Sequence, residues 1–322
     1  MRSILCHLLH HQLHPIAAGL AILVSTMVCP LSRSLADQLV VVGYLPDYRI
    51  NGLTSDKTIG VTHLVYFGIS PSKDGKLPEE PISESTLTKL KQLQLSSHCK
   101  LILCVGGWGR SDGFPSMAGN VQTRESFVKS LVDYCAQHGF SGIDYDWEHP
   151  KGDTEMHHYQ LLMQDTKRLG SPKGIEVSVA QAGWQNIGKA GYDAVDRVHL
   201  MSYDHGFPQA TMPKAMADVE RLTTWGCPPE KIAVGIPFYG RNKDGKAKTY
   251  AQLIRSDTKS EGDLIEGYAF NSQATVAEKI SEVQQRSLAG VMIWELAQDT
   301  SNPDQSLLMT IRNAVQTEPS TR

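Results

Sequence analysis

The chain has 322 residues, of which 41% are hydrophobic and 20% charged, with a formal net charge of −3. That length allows one large hydrophobic core. The slight acidic balance excludes a protein built around nucleic acid or an anionic membrane, either of which calls for a basic surplus. Residues 1–36 read as an export signal. Arg2 and a histidine-rich start lead into the apolar run 16–24, and Ser34-Leu35-Ala36 offers a small-x-small cleavage site. Ser25, Thr26 and Pro30 interrupt the run, so no membrane span is expected once the signal is cleaved near Ala36. Thr26-Met27-Val28 makes a poor lipobox for Cys29. His7, His10, His11 and His14 leave with the signal and are not read as metal ligands.

In chain order, apolar strand-like runs alternate with helical patterns. The strands are expected over 39–44, 61–67, 100–105, 142–147, 174–180, 197–203, 231–237 and 290–296. Phe127, Leu131, Val132 and Cys135 share one helix face, with Gly139 as the stop. Tyr159, Leu162, Met163, Thr166 and Leu169 do the same before Gly170, and Val276, Ile280 and Val283 mark the helix before the last strand. Ser306 onward reads as a closing helix. Eight strands with interleaved helices and no linker-like stretch predict an α/β fold, a (β/α)₈ TIM barrel over 37–322. Cys99, Cys104, Cys135 and Cys227 permit disulfides in an exported chain, but they include no CxxC pair, and Cys104 and Cys135 fall on apolar faces.

The stretch that carries chemistry is Phe140-Ser141-Gly142-Ile143-Asp144-Tyr145-Asp146-Trp147-Glu148-His149-Pro150. On a strand, positions 144, 146 and 148 project to one face, each step of two advancing roughly 6.6 Å. A carboxylate column on an aromatic-backed strand is costly in a core, because buried charges must be paired or protonated. Crowded acids also push each other's pKa values apart, which is what acid–base chemistry uses. The bland alternative is a solvated edge strand, and the aromatic and apolar neighbours argue against it. Glu148 falls at the C-terminal end of the fourth strand, where TIM-barrel active sites gather.

Other strand ends add to the same mouth. Gly106-Gly107-Trp108 ends the third strand, glycines permitting close backbone approach and the indole able to stack on a ligand. On the sixth, Met201 and Tyr203 share the face of His199, with Asp204 at the rim. Gly235-Ile-Pro237-Phe-Tyr239-Gly240-Arg241 ends the seventh, and Trp294-Glu295 the eighth. An aromatic-rich mouth suits sugars, whose C–H faces stack on rings. Trp147 faces the helices on parity, and Trp184 and Trp225 have no assigned place. No cofactor or metal is expected, since HExxH is absent and His157 and His158 face different directions on their helix.

The run Gly142–Glu148 resembles the DGxDxDxE signature of family 18 glycoside hydrolases, the chitinases and their relatives. Cys104-Val-Gly106-Gly107-Trp108 is similar to that family's SxGG motif, Met201-Ser-Tyr203-Asp204 to its MxYD motif, and Trp294 to the tryptophan of its eighth strand. Ser141 stands where the signature has its first aspartate, and Cys104 where the family has serine. The resemblance implies substrate-assisted, retaining hydrolysis of bonds between N-acetylglucosamine units in chitin or its oligosaccharides. In it Glu148 is the acid/base, Asp146 orients the substrate acetamide, Asp144 tunes Asp146, and Tyr203 hydrogen-bonds the acetamide carbonyl. Substrate-binding positions are Tyr44, Gly107, Trp108, Met201, Asp204 and Trp294. Alternatives are an endo-β-N-acetylglucosaminidase on glycoprotein glycans, or a non-catalytic chitin-binding lectin. Residues 242–248 and 256–271 read as plain connectors, too short for the family's extra α+β wall, so an open groove and weakly processive cleavage are expected, with no appended binding module. The expected protein is secreted or periplasmic and monomeric.

Overall fold

A computed structural model describes residues 39–255 and 262–316; the export signal expected over 1–36 lies outside them. Eight parallel strands close a barrel: β1 (Val40–Pro46), β2 (His63–Ile69), β3 (Lys100–Gly106), β4 (Gly142–Asp146), β5 (Glu176–Ala182), β6 (Arg197–Met201), β7 (Ile232–Pro237) and, last around the ring, β12 (Gly290–Trp294), which pairs with β1. Each expected strand is present, shifted by a few residues at its ends. The runs are apolar on both faces because both are covered, as a parallel sheet requires.

Strand parity divides the core in two. Val42, Tyr44, Val65, Phe67, Ile102, Cys104, Ala233 and Met292 fill the inside of the barrel. The alternate residues, among them Val41, Leu64, Leu103, Tyr145 and Val177, pack outward against the helices. Register then places like beside like: Cys104 is opposite Asp144, and Asp144 opposite Ser178. Three polar side chains thus share one layer of an apolar interior.

The helices are α1 (Glu84–Ser97), α2 (Phe114–Gly119), α3 (Val121–His138), α4 (Gly152–Gly170), α5 (Gly188–Ala194), α6 (Met212–Thr224), α7 (Tyr250–Leu253), α8 (Gln273–Gln285) and α9 (Leu307–Gln316). Asn120 caps α3 by accepting from the amides of Gln122 and Thr123. Gly139, in the left-handed region at φ 79°, ends it where the pattern of apolar residues stops. Phe114, on the short α2, stacks on Trp147 at 4.9 Å, which fixes the outward side of the fourth strand's end. Among the described residues no helix is long and apolar enough to cross a membrane.

One expectation is corrected. The residues read as connectors after the seventh strand form a small antiparallel sheet instead. It consists of β8 (Tyr239–Arg241), β9 (Ala247–Thr249), β10 (Leu264–Ile265) and β11 (Tyr268–Ala269), in the order β10-β11-β8-β9. Two tight turns make it possible. Asn242 accepts from the amides of Asp244 and Lys246 in the first. In the second, Glu266 and Gly267 both take positive φ, 47° and 78°, as a two-residue hairpin requires.

Candidate active site

The third and fourth strands meet closely at their C-terminal ends. Gly106 and Gly107 take φ of 99° and 106°, and the Gly107 amide donates to the Asp146 carbonyl at 2.6 Å. A Cβ on Gly106 would lie 2.3 Å from that carbonyl, and one on Gly107 2.2 Å from the Phe67 ring. Only glycine fits both positions. Ser111 ties the same corner, its hydroxyl near the carbonyls of Gly107 and Asp146 and accepting from the Glu148 amide at 3.0 Å.

Along β4 the three acids have different surroundings. Asp144 is fully buried and well held. It accepts from the Tyr44 hydroxyl (2.6 Å) and the Ser178 hydroxyl (2.6 Å), and His199 Nδ1 lies 3.1 Å away. Tyr44, whose hydroxyl proton points at Asp144, accepts from His199 Nδ1 at 2.8 Å. Burial alone would raise the Asp144 pKa, but the His199 charge and these donors outweigh it, and the pKa is lowered. Asp146 has no such support: its Oδ1 is buried without a hydrogen-bond partner among the described residues. Burial, then the charges of Glu148 and Asp144, push its pKa well above the ordinary value. Glu148 is raised too, by burial first and then Asp204, against a backbone hydrogen bond from Trp108. The Cys104 thiol, beside Asp144, is held in its neutral form by burial and by the two aspartates.

Above this column opens a cleft of about 1020 Å³, lined by Tyr44, Asp146, Glu148, Met201, Tyr203, Asp204, Trp108 and Trp294 among others. Trp294 is braced edge-on by Phe67 (5.1 Å) and tilted against Tyr44 (5.6 Å). Among the described residues the Tyr203 hydroxyl donates to the Met292 sulfur, at 3.9 Å. Trp108 is 79% exposed. The sequence matches the model of glycosyl hydrolases family 18 over residues 40–299. The chain belongs to that family. Chitinase 1 of Aphanocladium album is 26% identical, the match covering 72% of this chain and 70% of that one. A family 18 chitinase structure from Flavobacterium johnsoniae superposes with a TM-score of 0.76 at 22% identity, covering 86% of this chain and 94% of its own. A Bacteroides thetaiotaomicron chitinase structure gives 0.78 at 20%, covering 88% and 99%. At those identities the two structures establish the shared barrel.

Within this family 18 barrel, the expected site residues line the cleft except for two, Gly107 and Asp144. Gly107 is buried behind the cleft wall, and its identity follows from close packing on Phe67 and β4. Asp144 also lies below the cleft, as a support. Asp204 lines the cleft and is forked by Arg241 at 2.5 and 2.9 Å, its backbone in the left-handed region at φ 60°. Reasoning from sequence did not assign His199, Ser178, Arg241, His149 or Trp184. The parity of His199 with Met201 and Tyr203 was a usable signal, since it points the imidazole inward. Trp184 follows β5 directly, at a strand end like Trp108.

Proposed function

We propose that the protein is a chitinase-type glycosidase, hydrolysing β-1,4 bonds between N-acetylglucosamine units with retention and substrate assistance. The observation that carries this reading is Asp146, which lines the cleft beside Glu148 and whose buried Oδ1 has no partner among the described residues. A buried polar atom left unpaired costs about 1–3 kcal/mol. An acetamide N–H placed there would remove that cost, while its carbonyl would receive the Tyr203 hydroxyl.

In this reading Glu148, whose pKa is raised by burial, gives its proton to the glycosidic oxygen. The acetamide carbonyl closes on the anomeric carbon in place of an enzymic nucleophile. The remaining nearby carboxylate, Asp204, is engaged by Arg241 and is poorly suited to that role. Glu148 then takes a proton from water as it opens the cyclic intermediate. Asp144, kept ionised by its three donors, makes a second negative charge at Asp146 unfavourable, so Asp146 can donate or accept as the acetamide requires. Trp294 would floor the sugar that is distorted. The name of the Aphanocladium album relative supports chitin as substrate, and the signal-like residues 1–36 support export.

The test is hydrolysis of chito-oligosaccharides set beside cello-oligosaccharides and de-acetylated chitosan oligomers. Only the acetylated series should be cleaved well, and a stable thiazoline analogue of the cyclic intermediate should inhibit it. Rapid cleavage of cello-oligosaccharides would refute substrate assistance.

A further inference from the structure

The two ends of the cleft differ in character. One is built by β1, β2 and β12, where Trp294 rests on Tyr44 and Phe67. The other is built by the loops after β5 and β6 and by the start of α6. Contacts run along that second wall without a break. His149 Nε2 lies 3.6 Å from Glu148 Oε2, and its ring meets the Trp184 indole edge-on at 4.6 Å. Trp184 is 64% exposed, leaving a face free for a sugar. The Gly183 carbonyl next to it accepts from Arg221 at 2.6 Å. Asp218 is shared between Arg221 (2.8 Å) and His205 Nε2 (2.6 Å). Lys214 completes the wall, its ammonium donating to the carbonyls of His205 and Pro208 at 3.1 and 2.8 Å.

Among the described residues Lys214 is the cation of this wall that has no carboxylate partner. Arg221 already matches Asp218, and Arg241 matches Asp204. The partners of Lys214 are carbonyls, which satisfy hydrogen bonds without cancelling its charge. A lysine ammonium without a carboxylate partner can donate to the hydroxyls of a neutral glycan, but it gains more from an anion, which it attracts and whose register it fixes.

We propose that the leaving-group end of the cleft selects a sugar bearing a carboxylate, held by Lys214 while Trp184 stacks on its ring. This rests on the hydrolase reading, which sets the direction. With Trp294 under the sugar that is attacked and Glu148 at the bond, the wall beyond Glu148 receives the departing sugar. Two chemistries put a carboxylate beside a β-1,4 bond of N-acetylglucosamine: a hexuronic acid, and an amino sugar carrying a 3-O-lactyl ether.

The test compares kcat/KM of the full chain on three oligosaccharides of equal length. One is all N-acetylglucosamine, and the others place glucuronic acid or the lactyl ether sugar on the leaving side. The proposal expects one anionic substrate to exceed the neutral one by about tenfold, the gain of one charge-assisted hydrogen bond. That ratio should shrink between about 10 mM and about 1 M salt. Lys214→Met should bring it towards unity and Lys214→Glu should invert it, whereas Lys214→Arg should keep it. Each ratio is measured within one variant, so partial loss of folded protein cancels. Equal or lower rates on both anionic substrates, or a ratio untouched by Lys214→Met, would overturn the proposal. Cleavage of the neutral oligomer with no preference overturns it and leaves the hydrolase reading standing. Cleavage of none of the three overturns both.

Discussion

His199→Leu probes the support under the carboxylate column. In the native barrel Asp144 and His199 are both buried, at 0% and 1% side-chain exposure, and Nδ1 lies 3.1 Å from the carboxylate. Losing one charge-assisted hydrogen bond costs about 1.5–3 kcal/mol, and losing a full buried ion pair about 3–5 kcal/mol. Asp144 would keep Tyr44 and Ser178 as donors, so a destabilisation of about 2–4 kcal/mol at pH 7 is expected. At roughly 2 °C per kcal/mol for a domain of this size, the melting temperature should fall by about 4–8 °C. The pH dependence is the sharper test. In the native protein the Asp144 pKa is depressed, so its contribution is present above the unfolded value near ~3.9 and is lost as pH falls. In the variant burial is opposed only by the Tyr44 and Ser178 hydroxyls, and it raises that pKa above the unfolded value. Stability is then lost as pH rises from about 4 through the new value. Melting both proteins at pH 4.5 and pH 7.5 should show a deficit that is small in acid and large at neutrality. A deficit below about 0.5 kcal/mol at pH 7.5, or one equal at both pH values, would refute this account of the column. His199→Asn, which can present an N–H donor, should recover part of the loss.

Three further outcomes are expected. Glu148→Gln should lower kcat on chito-oligosaccharides by about 10²–10⁴ while calorimetric binding of the oligosaccharide persists, because the amide keeps the shape and loses the proton. Arg241→Met should leave the Asp204 charge uncompensated and so raise the Glu148 pKa further, moving the basic limb of the pH–kcat/KM profile upward by less than about one unit. An unmoved limb would contradict that coupling. Gly107→Ala places a Cβ 2.2 Å from the Phe67 ring at a φ of 106°, whereas Gly139→Ala meets open space at 79°. Denaturant titration should therefore show Gly107→Ala losing more than the ~1–2 kcal/mol of left-handed strain that Gly139→Ala incurs.

What was legible in the sequence follows from short-range periodicity. A period of two fixes which side chains of β4 and β6 face inward, so Asp144, Asp146, Glu148, Met201 and Tyr203 could be placed before any fold was known. Glycine pairs and strand-end aromatics mark the mouth for the same local reason. The pairing of Tyr44 with Asp144 and His199 spans 100 and 155 residues of chain, and no local pattern encodes which inward residues meet across the barrel. The sheet after the seventh strand was missed because its strands are two or three residues long. Such strands carry no alternation to read, and only their turns leave a trace. Arg241 was visible as a strand-end residue, but its fork onto Asp204 depends on that same sheet.

The four cysteines of the described barrel are free and buried: Cys99, Cys104, Cys135 and Cys227. Burial raises all four thiol pKa values, to about 11 for Cys99 and about 12 for Cys227, so little reactive thiolate is present at neutral pH. The barrel therefore carries its stability without a covalent crosslink. Reducing agents should leave its unfolding curve where it is, and recombinant production in a reducing cytosol should give the same folded barrel as an oxidising compartment. Once unfolded, however, four thiols become available together, so refolding yield should depend on keeping them reduced.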